Sequence, residues 1–223
     1  MLMIASDYDG TLCRYGKITK GDRESIAKWR AKGNLFGFVT GRGADFLKTA
    51  SELELESDFF VLHTGADIYD GEGNSIARFD ADRELIPLLD ECCGSFGALK
   101  YNPECTAGFF LQYYALTQTE AECTELCSVI NEKYSDRITA YQNGRNVNAV
   151  KRGVSKANGI AVIAERFGIE KSRIAAVGDT LNDLSMLTEY NGFAMYTASA
   201  QVKRLAPNSC KNIGDLIKQL TRG

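Results

Sequence analysis

Short apolar runs alternate along this chain with longer segments in which apolar residues recur every three or four positions. Runs of the first kind are typical of buried strands, and segments of the second kind are typical of amphipathic helices. In the first and last thirds of the chain, their order predicts parallel β-α units. The predicted strands there are 2–6, 35–39, 59–62, 173–177 and 193–196, and the predicted helices are 22–32, a segment ending near 51, 155–167, 182–187 and 213–220.

The rhythm changes in the middle of the chain. A hairpin, 66–69 with 75–79, surrounds the turn sequence Asp70-Gly71-Glu72-Gly73-Asn74. Residues 81–150 then predict an α+β insert rather than a continued parallel sheet. Its predicted elements are helix 83–93, strand 108–116, helix 120–133 and strands 137–142 and 146–150. We therefore expect an α/β protein with a Rossmann-like core (1–80 and 151–223) and a small inserted domain (81–150).

Composition is that of an ordinary globular protein. The 223 residues, 44% of them apolar and 25% charged, suffice for one core and a small accessory domain. A net charge of −3 without a basic run argues against nucleic acid as a partner. The insert holds ten acidic and five basic residues, a net charge of −5, which leaves the remainder at +2.

The sequence lacks the features of membrane and secreted proteins. No apolar run has the roughly 18–20 residues of a membrane span, and the first residues do not resemble a signal peptide. The seven cysteines include no Cys-x-x-Cys pair, which favours reduced thiols over a zinc site. We expect a cytoplasmic protein without a membrane partner, either a monomer or a homodimer.

Asp7 and Asp9 are the most informative residues of the chain. They lie one residue apart where the first predicted strand ends, so both can face one space while Tyr8 points away. Gly10 follows and lets the backbone turn sharply out of the strand. Two carboxylates so placed suit either a divalent metal or a nucleophile paired with a general acid.

Polar clusters also follow the other predicted strands. In open α/β sheets ligands bind beyond the carboxyl ends of the strands. Several carboxylates at one such edge would repel one another unless a cation joined them, and Mg²⁺ prefers oxygen ligands. Lys156 could neutralise the same site from the following helix. The clusters are Thr40-Gly41-Arg42, His63-Thr64, and Gly178-Asp179-Thr180-Leu181-Asn182-Asp183.

Plainer interpretations exist for several of these residues. Thr40 and Asp183 could be helix caps, and Lys156 a solvated surface lysine. Arg42 could serve only in an ion pair. His63, the one histidine of the sequence, is better interpreted as structural than as catalytic. In the insert, Tyr113, Tyr114 and Arg145 could face a substrate, although aromatic residues in strands usually serve packing.

Taken in order, these motifs resemble those of the haloacid dehalogenase superfamily. Asp7-x-Asp9-Gly10-Thr11-Leu12, Thr40-Gly41-Arg42, Lys156 and Gly178-Asp179-x-x-Asn182-Asp183 match its four motifs. The insert lies between the second and third motifs, where the Cof-type phosphatases carry a type-two cap. The resemblance is nearest to small phosphoglycolate or sugar-phosphate phosphatases. The chain departs from the group at 63–66 and 196–198 and in a short cap of about 70 residues, which leaves the substrate open.

The resemblance implies a catalytic role for each matching residue. Asp7 corresponds to the nucleophile that forms an aspartyl-phosphate, and Asp9 to the general acid and base. Thr40, the Gly41 amide and Arg42 would bind the phosphoryl group, and Lys156 would offset its charge. Asn182 would orient the phosphate or Lys156.

The resemblance also implies a Mg²⁺ cofactor. Its ligands would be Asp7, the Asp9 carbonyl and Asp179, with Asp183 close by or holding waters. A small phosphorylated metabolite would be the substrate. The relatives that pump ions carry threonine at the position of Asp9, so a phosphatase is favoured over a pump. Two alternatives stay open: a phosphohexomutase of the same superfamily and a non-catalytic metabolite-binding module.

Overall fold

The computed structural model describes residues 1–54 and 56–221, and its elements form two sheets with flanking helices. The first stretch of the core contains β1 (Met3–Ser6), α1 (Lys20–Arg30), β2 (Leu35–Val39), α2 (Asp45–Glu52), β3 (Phe59–Leu62), β4 (Asp67–Asp70) and β5 (Ser75–Arg78). The cap follows, with α3 (Leu85–Ser95), β6 (Lys100–Thr106), β7 (Phe109–Leu116), α4 (Glu120–Lys133), β8 (Ile138–Asn143) and β9 (Asn146–Lys151). The core then resumes with α5 (Lys156–Phe167), β10 (Ile174–Gly178), α6 (Leu184–Glu189), β11 (Asn191–Met195), α7 (Ala200–Leu205), β12 (Asn208–Cys210) and α8 (Ile213–Leu220).

The core sheet has the strand order β12-β11-β10-β1-β2-β3-β4-β5. The strands from β12 to β3 pair in parallel, and the β4–β5 hairpin extends the sheet antiparallel. Strand β1 lies between β10 and β2 and is buried along its whole length. Because neighbouring parallel strands end at one edge, the polar segments that follow β1, β2, β3 and β10 meet there.

An aromatic cluster anchors the strand end that carries the first motif. The rings of Tyr8 and Phe46 meet edge to face, with centroids 4.7 Å apart. Phe38 stacks on Phe60 at 5.8 Å and meets Tyr8 edge to face at 6.0 Å. Tyr8 is buried in this cluster. The predicted separation of its side chain from Asp7 and Asp9 is therefore confirmed.

The cap is a four-stranded antiparallel sheet in the order β6-β7-β9-β8. One face packs against α3 and α4 and buries Phe110, Tyr113, Val147 and Ala149. The other face is turned to the core, where Leu111 packs with Ala66, Val150 and Val154. Phe110 and Leu111 are consecutive and lie in different clusters because successive residues of a strand point to opposite faces of the sheet. A bulge interrupts the pairing of β7 with β6 next to them.

Three elements escaped the sequence prediction. Strand β6 (Lys-Tyr-Asn-Pro-Glu-Cys-Thr) lacks an alternating apolar pattern, and its proline is tolerated because β6 lies at the edge of its sheet. Helix α7 has six residues and strand β12 has three, too few for a periodic signal. The predicted helix from Asn182 was also wrong at its start, because residues Leu181–Asp183 form a 3₁₀ turn before α6 begins.

Two expectations about the whole chain can be compared with the fold. All seven cysteines are free thiols and none forms a disulfide. Within residues 1–54 and 56–221, no helix combines the length and the apolar character needed to cross a membrane.

Phe38→Ala should lower the free energy of unfolding by about 3–5 kcal/mol, because it removes a fully buried ring from the aromatic cluster. Urea unfolding measured by circular dichroism checks this value. Tyr15→Ala is the matched control, since Tyr15 is 95% exposed and its loss should change stability by less than about 0.5 kcal/mol. Equal stability of the two variants would contradict the packing described above.

Candidate active site

A buried lysine joins two carboxylates at the centre of the site. Lys156 opens α5 directly after its N-cap, Ser155. Its Nζ donates to Asp7 Oδ1 at 2.7 Å and to Asp183 Oδ1 at 2.6 Å. Burial alone would lower the pKa of Lys156, but the attraction of Asp183 and Asp7 outweighs it and raises that pKa. The lysine is therefore charged and held between strand β1 and the turn after β10.

Asp183 also fixes the turn that carries Asp179. Its Oδ2 accepts hydrogen bonds from the backbone N–H groups of Asp179 and Thr180, both at 2.9 Å, and from Thr180 Oγ1 at 3.1 Å. With Oδ1 bound to Lys156, both oxygens of Asp183 are engaged by the protein. Asp179 in turn accepts a hydrogen bond from Thr11 Oγ1 at 2.7 Å. The first and last motifs are thus linked directly.

The carboxylates of this cluster exceed its positive charge. One oxygen each of Asp7, Asp179 and Asp183 can be chosen so that all three lie within 4.8 Å of one another. With Lys156 the formal charge of the group is −2 when all are ionised. Burial raises the pKa of Asp7 well above its usual value although Lys156 opposes the shift, and burial raises the pKa of Asp179 to about 6. An all-oxygen cluster of this charge fits a divalent cation such as Mg²⁺, and Asp7 and Asp179 are the members that can offer it oxygens, because both oxygens of Asp183 are engaged.

Gly10 allows the first motif to approach the last one. Its backbone has φ of +80°, in the left-handed region, and its N–H donates to the Cys13 carbonyl at 2.9 Å in a tight turn. A Cβ at this position would lie 2.3 Å from Asp179 Oδ2. Any other residue would therefore push the turn away from Asp179.

Asp9 forms a bidentate ion pair with Arg42. Arg42 Nε and Nη2 donate to the two carboxylate oxygens of Asp9 at 2.7 and 2.8 Å. The guanidinium also lies over the rings of Tyr8 and Phe46, at 5.2 and 5.9 Å from their centroids. Both side chains are about half exposed and line the cavity beneath the cap.

The segment after β2 and the turn after β10 complete the floor of the site. Thr40 is buried and its Oγ1 accepts the Arg42 N–H at 3.2 Å. Gly41 leaves room for its neighbours, since a Cβ there would lie 3.3 Å from Asn148 Nδ2 and 3.4 Å from Thr64 Oγ1. Asn182 is 2% exposed, and neither atom of its amide finds a hydrogen-bond partner within the described chain.

The cap lies over this floor, and a cavity of about 380 Å³, open to solvent on one side, lies between them. Strands β7 and β9 contact the 63–65 turn, and β8 contacts the 181–183 turn. The residues that line the cavity come from both parts. They are Asp7, Asp9, Thr40, Gly41, Arg42, Gly43, Asp45, Phe46 and Thr49 from the core, and Glu104, Gln112, Tyr114, Asn143, Asn146 and Asn148 from the cap.

The cap wall of the cavity is polar but carries little charge. Tyr114 donates from its hydroxyl to Asn146 Oδ1 at 2.8 Å, and Asn146 donates to the Asn143 carbonyl at 3.1 Å. Glu104 is the one ionisable carboxyl group on this wall. Among the described residues that line the cavity, Arg42 is the one cation, and it is paired with Asp9. The wall therefore suits hydroxyl groups better than a second anion.

His63 lies beside the site without entering the cavity. It is 3% exposed, and burial lowers its pKa to about 4, so the imidazole is neutral near pH 7. Its Nδ1 has no hydrogen-bond partner in the described part of the chain. His63 and Thr64 both adopt left-handed backbone conformations, with φ of 48° and 57°.

Most residues singled out in the sequence converge, but several participants were missed. Tyr114 lines the cavity, whereas Tyr113 is buried in the cap with its hydroxyl on Asp90, and Arg145 donates to the Gln118 carbonyl. Thr11 was quoted as part of a motif without a role. The alternation of Asn146 and Asn148 with Val147 and Ala149 in β9 was the signal from which the cap wall could be predicted. Gln112 gave no such signal because it follows the bulge.

Comparison with known proteins supplies the family. The sequence profile of the haloacid dehalogenase-like hydrolases matches residues 4–102 and 98–215. The chain is 25% identical over 218 residues to the 5-amino-6-(5-phospho-D-ribitylamino)uracil phosphatase YcsE of Bacillus subtilis, covering 92% of this chain and 87% of that protein. Its fold is similar to a solved haloacid dehalogenase-like hydrolase from B. subtilis, with a TM-score of 0.85, 18% identity and coverage of 99% and 100%. A solved sugar phosphatase of subclass IIB gives a TM-score of 0.80 at 22% identity, with coverage of 100% and 98%. The chain belongs to the haloacid dehalogenase-like hydrolase family.

Proposed function

We propose that this chain, a phosphoric monoester hydrolase, releases phosphate from a small phosphorylated polyol or sugar with the help of Mg²⁺. The observation that carries the proposal is Asp7, held by Lys156 at 2.7 Å and lining the cavity together with Asp9 and Thr40. Lys156 takes Oδ1 of Asp7, and no protein donor within the described chain takes Oδ2. One oxygen of Asp7 is therefore free to attack.

In the first step, an oxygen of Asp7 attacks phosphorus and the bond from phosphorus to the ester oxygen breaks. Asp9 gives a proton to the departing alkoxide, so the product leaves as an alcohol. In the second step Asp9 takes a proton from water, and the hydroxide attacks the phosphorus of the aspartyl-phosphate. Inorganic phosphate leaves and Asp7 is regenerated. Arg42 orients Asp9. When a phosphoryl group binds, Arg42 must either release Asp9 or donate hydrogen bonds to both groups.

Several groups would stabilise the negative charge of the phosphoryl group. Lys156 offsets the charge of Asp7. Thr40 and the Gly41 amide, which line the cavity, would bind phosphoryl oxygens. Mg²⁺, when bound by Asp7, the Asp9 carbonyl and Asp179, would supply Lewis-acid stabilisation of the developing charge. Asp183 holds Lys156 and the Asp179 turn rather than offering a free oxygen. Asn182 is buried with an unused amide that could bind the phosphate or a water.

The cap wall favours a substrate whose remaining part is neutral and hydroxylated. Amide side chains and a tyrosine hydroxyl can both donate to and accept from hydroxyl groups. A carboxylate or second phosphate would meet Glu104 and Asp45, with no cation beside Arg42 among the described lining residues. This argues against phosphoglycolate. The printed name of the B. subtilis relative contains a phosphorylated ribityl chain, which fits the same description.

The charges and contacts of the site also disfavour the two alternative functions, a phosphohexomutase and a non-catalytic binding module. A phosphohexomutase binds a bisphosphate, and the described cap residues that line the cavity include no cation for the second phosphate. A non-catalytic binding module would not need the pairing of Asp7 with Lys156 beside a second acid. Binding of a sugar phosphate without hydrolysis would nevertheless favour such a module.

Asp7→Asn should lower phosphatase turnover by about 10⁴-fold or more, because an amide cannot replace the carboxylate as nucleophile. Phosphate release from p-nitrophenyl phosphate in Mg²⁺ buffer measures the loss. Asp136→Asn, an exposed position of the cap, is the matched control and should keep wild-type activity. Retained turnover in Asp7→Asn would move the nucleophile elsewhere.

Mg²⁺ should bind more weakly at pH 5 than at pH 7.5. The pKa of Asp179 is raised to about 6, so below that pH a proton occupies the carboxyl group that the cation needs. The affinity should fall by up to about tenfold per pH unit below pH 6 for each proton displaced. Isothermal calorimetry provides the measurement, and Asp179→Asn should bind weakly at both pH values. Equal wild-type affinity at the two values would show that Asp179 is already ionised without the cation.

Substrate preference should follow the charge of the leaving group. Ribitol 5-phosphate should be hydrolysed with kcat/KM at least about tenfold above phosphoglycolate and fructose 1,6-bisphosphate, because only the latter two carry a second anion toward Glu104. Phosphate release under identical Mg²⁺ concentrations checks the order. A faster reaction with phosphoglycolate would overturn the assignment of a neutral, hydroxylated substrate.

A further inference from the structure

Three consecutive carbonyls of the segment after β2 are fixed by hydrogen bonds. The Thr40 carbonyl accepts the Thr64 N–H at 3.1 Å, and the Arg42 carbonyl accepts the His63 N–H at 2.9 Å. Both donors belong to the turn after β3, in the core. The carbonyl between them, that of Gly41, accepts instead from the cap, from Gln112 Nε2 at 3.0 Å.

These three bonds determine where the amides of the segment point. In a planar trans peptide the carbonyl and the following N–H point in opposite directions. The bond from Thr64 to the Thr40 carbonyl thus aims the Gly41 N–H away from the turn after β3. No acceptor in the described part of the chain takes this N–H, and Gly41 lines the cavity. The bond from Gln112 to Gly41 likewise fixes the next peptide, whose Arg42 N–H donates to Thr40 Oγ1 at 3.2 Å.

Gln112 is itself held in one orientation. Thr64 Oγ1 donates to its Oε1 at 2.8 Å, which leaves the amide nitrogen facing Gly41 and Glu104. Glu104 Oε2 accepts from the same nitrogen at 2.7 Å. Gln112 is 1% exposed, so water does not compete for these bonds. The amide therefore has a defined donor end and a defined acceptor end.

The β7 bulge is what presents Gln112 to the core. Residue Glu104 pairs with Gln112, while Cys105 pairs with Phe110, so Leu111 is an extra residue in β7. As a result Leu111 and Gln112 are both turned to the core, Leu111 against Ala66 and Gln112 against Gly41. The apolar contact and the polar contact form together when the cap docks.

We infer that Gln112 is a positioning residue that couples closure of the cap to the geometry of the phosphate-binding segment Thr40–Arg42. With the cap docked, Gln112 completes the set of three fixed carbonyls and orients the Gly41–Arg42 peptide. With the cap open, the Gly41 carbonyl loses its donor and the segment keeps only the two bonds to the turn after β3. This inference rests on the proposed role of that segment in binding phosphate. It makes productive phosphate binding depend on a residue about 70 positions away in the sequence.

Gln112→Met keeps the approximate length of the side chain and removes its three polar contacts, with Thr64, Gly41 and Glu104. We expect kcat/KM to fall by about 10–100-fold, because displacement of a phosphate-binding group by a fraction of an ångström to 1 Å has effects of that size. The loss should be equal with p-nitrophenyl phosphate and with ribitol 5-phosphate, since both share only the phosphoryl group. The inhibition constant of inorganic phosphate should rise in parallel. Gln118→Met, on the exposed surface of the cap, is the matched control.

Thr64→Val tests the chain of contacts through a second variant. It removes the hydroxyl that orients Gln112 while keeping the branched shape, so its loss should be smaller than that of Gln112→Met. The double variant should be no worse than Gln112→Met alone if both act through one hydrogen-bond chain. Additive losses would overturn the coupling.

The remaining outcomes separate this inference from the proposed function. A loss confined to ribitol 5-phosphate would make Gln112 a substrate contact, and a lower Tm with an unchanged phosphate inhibition constant would make it structural; either result overturns the inference. Calorimetry in Mg²⁺ buffer measures the affinity of the segment Thr40–Arg42 for inorganic phosphate even when no substrate is turned over. Equal phosphate affinity in wild type and Gln112→Met would also overturn the inference. Absence of hydrolysis in wild type, with weakened phosphate binding in Gln112→Met, would refute the proposed function alone.

Discussion

The contact of Lys156 with Asp7 and Asp183 constrains the rest of the structure. Charges taken out of water are tolerated only when they are paired with good geometry, and here one ammonium group serves two buried carboxylates. The contact ties the central strand β1, the start of α5 and the turn after β10 to a single point. It also sets where the chain must return from the cap, because α5 begins only five residues after β9 ends.

The charged groups of the site lie mostly in the core, whereas the cap wall is mostly neutral and polar. The fixed positive charge of Lys156 and the surplus of carboxylates lie at the carboxyl edge of the core sheet. A cation would neutralise the carboxylates there, and a phosphoryl group would in turn be attracted to the cation and to Lys156. The cap wall contributes amides and a tyrosine hydroxyl, which can donate to and accept from hydroxyl groups. Apart from Gln112, which donates to the Gly41 carbonyl, the cap residues that line the cavity can vary without disturbing the charges of the floor.

The sequence was sufficient for the floor because parallel strands end at one edge. The alternation of side chains about Tyr8, together with the strand order expected of such a sheet, brings Asp7 near Asp179 without any knowledge of packing. The residues of the cap wall could not be predicted in the same way. Alternation in β9 separates Asn148 from Val147, but it cannot tell which face is covered by helices and which by the core. Gln112 was hidden for a different reason, since a bulge breaks the very alternation from which its facing would be predicted.

The position of β1 in the sheet has a consequence for how the chain acquires its fold. Its neighbour β2 follows about 30 residues later, whereas its other neighbour, β10, pairs Ile174 with Met3. The cap, by contrast, is one continuous stretch whose strands pair locally. During synthesis the cap can therefore fold while β1 still exposes an unpaired edge, and closing that edge requires contacts across most of the chain. Docking of β10 beside β1 is also what brings the turn that carries Asp179 to Asp7. Pairing of these two central strands and assembly of the acidic cluster thus go together, so a chain in which β10 has not docked carries Asp7 without Asp179 and Asp183 beside it.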